Sequence, residues 1–141
     1  MRLALILAVL ATPTAAWEAS RSGPVCLLTH QTEDATVTVS HDAAKTVPYA
    51  IDLTRTDGWQ PGPLFAIRFD GPRQLTITTD QHQVKDNTLT VTDRGFGNVL
   101  DGIAQNDRAI AVTGETALTF PLTGAALAVE AFKACAANLG V

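Results

Sequence analysis

Polar and apolar side chains alternate with a period of two along much of this chain. Ala35–His41 sets Val37 and Val39 against Thr36, Thr38 and Ser40, the pattern of a strand with one buried face. Val25–His30, Val47–Thr54, Leu64–Phe69, Arg73–Thr79 and Thr88–Thr92 also read as strands, with Leu75, Ile77, Leu89 and Val91 directed inward. Pro48 cannot donate a ladder hydrogen bond, which predicts an edge position for the strand it opens. Turn-forming residues separate these runs: Gln31–Asp34, then Arg55–Pro63 with Asp57, Gly58, Pro61 and Gly62, then Asp70–Pro72. Trp17–Pro24 reads as a polar lead-in and Asp80–Asn87 as a long polar hairpin loop.

The period changes after Arg94. Gly95–Gly97 is flexible, and Asn98 is placed to cap a short helix over Val99–Ala104 with Asp101 near its positive end. Arg108–Thr113 and Thr116–Pro121 form a hairpin around Gly114–Glu115. Thr123 then caps a helix over Gly124–Ala137, whose apolar stripe runs through Leu122, Ala126, Val129, Phe132 and Ala136. The pattern predicts a mostly β (α+β) domain. It is an antiparallel sandwich or barrel-like sheet of seven or eight strands, with the C-terminal helix packed on it.

The N-terminus follows a different logic. Arg2 precedes the apolar run Leu3–Ala11, and Thr14 and Ala16 supply small residues for cleavage. These are the parts of a secretory signal peptide over residues 1–16, leaving one β-rich domain over 17–141. The nine-residue run is too short to span a bilayer, and no other run approaches that length. Export places the chain in the periplasm or outside the cell, where the two cysteines, Cys26 and Cys135, are expected to pair.

The 141 residues carry a net charge of −4 with 46% hydrophobic residues. That excludes a disordered chain and a nucleic-acid binder, which needs a basic face. Candidate chemistry is sparse. No phosphate-cradling G-x-x-x-x-G-K-[ST] occurs, and Gly95–Phe96–Gly97 lacks the context of a dinucleotide site, so no cofactor is expected. The serines are Ser20, Ser22 and Ser40, and Ser40 points away from its neighbour His41 in a strand. His30 and His41 end different strands on the inward parity, as partly wet rings, and His82 sits in a loop, so no metal site is expected. The threonines of the outer strand faces read as solvated β-formers. Trp59, in the loop segment DGWQPGP, and Phe96 are the candidates for a binding surface, with burial as a plug the alternative for Trp59.

The stretch from Asn98 to Ala136 contains "FPLTGAALAVEAF" after a short helix, a polar turn and a hairpin. With Leu100, Ile103, Leu122, Gly124 and Ala128 at similar places, it resembles the C-terminal part of the invasion-associated locus B family of exported bacterial proteins. Ala125 stands where that family tends to carry an aromatic residue, and a second cysteine pair is lacking. The resemblance implies an exported β-rich domain and no catalytic residues. The sequence therefore favours a non-enzymatic, disulfide-tied binding module of the bacterial envelope. Its expected partner is another envelope or extracellular protein. The rival reading is a secreted inhibitor of an envelope hydrolase or protease, presenting Arg55–Pro63 or Asp80–Asn87.

Overall fold

The computed structural model describes residues 16–139. The leader expected over 1–16 lies, apart from Ala16, outside the described residues. Ten strands and two helices follow in the order β1 (Glu18–Ser22), β2 (Val25–Gln31), β3 (Ala35–Asp42), β4 (Tyr49–Arg55), β5 (Phe65–Asp70), β6 (Leu75–Thr79), β7 (Gln83–Lys85), β8 (Thr88–Asp93), α1 (Gly97–Gln105), β9 (Arg108–Thr113), β10 (Thr116–Pro121) and α2 (Ala125–Leu139). They build two antiparallel sheets over one core. One sheet has six strands in the order β1-β2-β3-β4-β8-β7, and the other has four, β10-β9-β5-β6.

The ten strands exceed the expected seven or eight, and the two additions have a common cause. All five residues of β1 are exposed, and β7 is three residues long with only Val84 half-buried. Neither has a buried face long enough to impose alternation. Each forms because a neighbouring strand supplies the ladder: Arg21 pairs with Cys26, and Val84 with Leu89. The "lead-in" and the "hairpin loop" are thus edge strands. β4, in contrast, is interior, between β3 and β8. Pro48 stands just before it and leaves its donors intact.

Alternation elsewhere places side chains as the pattern predicts. Cys26, Leu28 and His30 of β2 meet Val37, Val39 and His41 of β3 on the inner face. Phe65, Ile67 and Phe69 of β5 face them from the second sheet as part of the same core. The Trp17 indole closes one side, its Nε1 donating to the Pro121 carbonyl at 3.0 Å and so tying the start of β1 to the end of β10.

α2 covers this same side, packing on β1, β2 and α1. Its buried residues are Ala125, Val129, Phe132 and Ala136, continuing from the buried Leu122; of the expected stripe only Ala126 is exposed, and Ala125 is buried in its place. Asn98 does not cap α1, which begins at Gly97 after Phe96 with no side-chain cap. Asp101 instead meets Lys133 of α2 at 3.1 Å. Gly102 lets α1 lie directly on Phe69: a Cβ there would stand 2.4 Å from the ring. Asn106 ends α1, its amide nitrogen donating to the carbonyls of Gly102 and Arg73 at 3.0 Å each while its oxygen accepts from the Arg73 backbone N–H. Cys26 and Cys135 are bonded, with Cα atoms 6.1 Å apart and a sequence separation of 109. The last turns of α2 are thereby fastened to β2.

Candidate functional site

The side of the sandwich away from α2 is open. There β4 and β8 of one sheet face β5 and β6 of the other across a cleft of about 630 Å³. Local alternation supplies its walls. Ile51 and Val91 are cross-strand partners in the first sheet, and Ile67 and Ile77 are partners in the second. Phe65, Phe96 and Val99 complete the apolar lining. Ile51, Phe65, Ile67 and Phe96 are buried, whereas Ile77, Val91 and Val99 are half-buried and form the walls nearer the mouth. Thr78, Gln81, Thr92, Asp93 and Asn98 stand exposed around the rim.

The rim is built from segments that change direction. Asp93 ends β8, and Gly95–Val99 turns into α1 across one end of the cleft. A Cβ at Gly95 or Gly97 would meet nothing within 4 Å, so both glycines leave the mouth bare. Thr79 and Gln81 lie where the chain crosses from β6 to β7 and so from one sheet to the other. His82 anchors this crossing, its Nε2 lying 2.9 Å from the Gly62 carbonyl. Asp93 is the one ionisable side chain among the described lining residues, and its Oδ1 accepts from the Arg94 backbone N–H at 2.6 Å. A concave, largely apolar pocket of this size with a few polar groups at its edge is the usual form of a small-ligand site.

The residues singled out by sequence fall in different places. Cys26 and Cys135 join each other. Trp59 is only 8% exposed. Its Nε1 donates to the Leu53 carbonyl at 2.9 Å, and the Arg55 guanidinium lies 5.4 Å from the ring centroid. It is a plug that fixes the Arg55–Pro63 loop, with its contact surface spent inside the fold. Phe96 is buried too, at 4%, but it lines the cleft and stacks on Tyr49 at 5.5 Å. The structure therefore does not bring Trp59 and Phe96 together into one exposed surface.

The histidine rings are drier than expected. His30 and His41 are 4% and 7% exposed. Strand parity turns both rings inward, and aromatic neighbours from other segments cover them. His30 stacks on Trp17 at 4.8 Å, and neither of its ring nitrogens has a hydrogen-bond partner. Burial pushes its pKa below the ordinary value; the Ala16 backbone opposes part of that shift without reaching hydrogen-bond geometry. His41 meets the edge of Tyr49 at 4.7 Å and pairs across the ladder with Cys26. Among the described residues, no three His, Cys, Asp or Glu side chains come together as a metal centre would require.

Alternation along the chain directs Ile77 and Val91 inward, and it places Ile51 and Ile67 only within the strands read over Val47–Thr54 and Leu64–Phe69. An inward aliphatic residue reads the same whether it meets another side chain or lines a cleft. The one local signal was the change of period after Arg94, where Gly95–Phe96–Gly97 interrupts the alternation. No described helix is long and apolar enough to cross a membrane. No known protein family, curated protein or solved structure matches this chain.

Proposed function

We propose that this protein is an exported, non-enzymatic binding module whose ligand enters the cleft between the two sheets. The observation that carries the reading is the cleft itself: about 630 Å³, with an aliphatic and aromatic floor and, among the described lining residues, a single ionisable side chain at the rim. Such a lining binds by excluding water from apolar surface and offers no pair of groups to move a proton or attack a bond. The disulfide supports the exported setting, because such bonds persist in oxidising compartments. The apolar leader pattern and the likeness to the invasion-associated locus B family support it from the sequence. The inhibitor reading draws less support. One of its two presenting segments contains β7 and the other is held down by Trp59.

The neutral fluorophore N-phenyl-1-naphthylamine tests the reading. Saturable one-to-one binding is expected, and Ile77→Trp or Gly95→Phe should weaken it about tenfold by filling the cleft or its mouth. The circular dichroism of both variants should stay native. No saturable binding to the folded protein, or binding indifferent to both substitutions, refutes the proposal.

A further inference from the structure

We infer that the ligand is a single-chain amphiphile whose head donates hydrogen bonds and carries no negative charge; this rests on the cleft being the binding site. The floor decides the tail. Ile51 and Ile67 are buried branched aliphatic side chains, one from each sheet, and they offer an alkyl chain dispersion contacts without any buried polar atom to satisfy. The rim decides the head. Asn98 and Gln81 carry amides that donate and accept, and Asp93 only accepts when ionised. Among the described lining residues there is no lysine, arginine or histidine. A carboxylate or phosphate head would stand beside the Asp93 carboxylate with no cation among the described lining residues to offset the repulsion. A hydroxyl-bearing head loses little on desolvation and gains Asp93 as an acceptor.

The head-group preference is read by competition, with 1-monolauroylglycerol and laurate displacing N-phenyl-1-naphthylamine below their aggregation concentrations. The two share a twelve-carbon tail, so only the head differs. Monolauroylglycerol should displace the probe at a concentration about tenfold lower than laurate. Asp93→Lys should remove that advantage, because laurate then meets a cation. The head-group assignment is overturned if laurate competes equally well against the unmodified protein. It is also overturned if Asp93→Lys leaves the ratio unchanged. If the probe binds but neither amphiphile displaces it, the amphiphile assignment fails and the cleft reading survives. If the probe itself finds no site, the cleft reading fails first.

Discussion

Gly102→Ala should destabilise this protein, against the usual rule for a helix. Replacing a helical glycine by alanine ordinarily stabilises by about 1 kcal/mol, because alanine loses less backbone freedom on folding. Here the new methyl would stand 2.4 Å from Cδ2 and 2.6 Å from Cε2 of Phe69. That ring is fully buried in β5, so it has no open direction to move in. Relieving the contact means lifting α1 off the sheet or turning Phe69 off its rotamer. Overpacking of this kind costs about 1–3 kcal/mol, and so deep an overlap with a rigid ring belongs at the upper end. After the helix gain is set against it, a net loss of about 2 kcal/mol remains. Urea unfolding followed through the buried Trp17 and Trp59 reads this directly, as a midpoint lowered by about 1 M. Phe69→Leu should cost less in the Gly102→Ala background than alone, since the smaller side chain makes room for the methyl. A midpoint equal to or above that of the unmodified protein would refute the close-packing argument. Strict additivity of the two changes would show that the methyl does not press on Phe69.

Two further outcomes follow from the core. The Cys26→Ala, Cys135→Ala double variant should still fold but lose about 2–4 kcal/mol, since the bond closes a 109-residue separation; an unchanged urea midpoint would remove its stabilising role, and two free thiols per unfolded, unreduced chain would disprove the bond. His30 is held below its ordinary value of 6.5 by burial, so as pH falls through that value the unfolded chain takes up the proton first and stability declines; His30→Phe, which keeps the stack on Trp17, should flatten the dependence of the urea midpoint between pH 7.5 and 5.5, and equal slopes would show that His30 is not the group responsible.

Local patterning decided the inward face of each long strand and the position of α2, because a side chain's direction is set by the period of its own segment. It also decided that Cys26 and Cys135 face the core side of β2 and the end of α2, where only one pairing exists. The order of the strands was beyond it, since alternation says which face is buried and not which edge finds a partner. β1 and β7 illustrate the limit: their ladders are made by β2 and β8, and their own sequences carry almost no buried face. The same limit holds for single residues. Trp59 as plug rather than contact, and His30 as a dry ring under Trp17, depend on neighbours brought from elsewhere in the chain. The cleft depends on them most. Ile77 and Val91 were legible as inward and Ile51 and Ile67 as strand residues, yet only the two sheets together, covered by α2 on one side and left open on the other, turn them into walls.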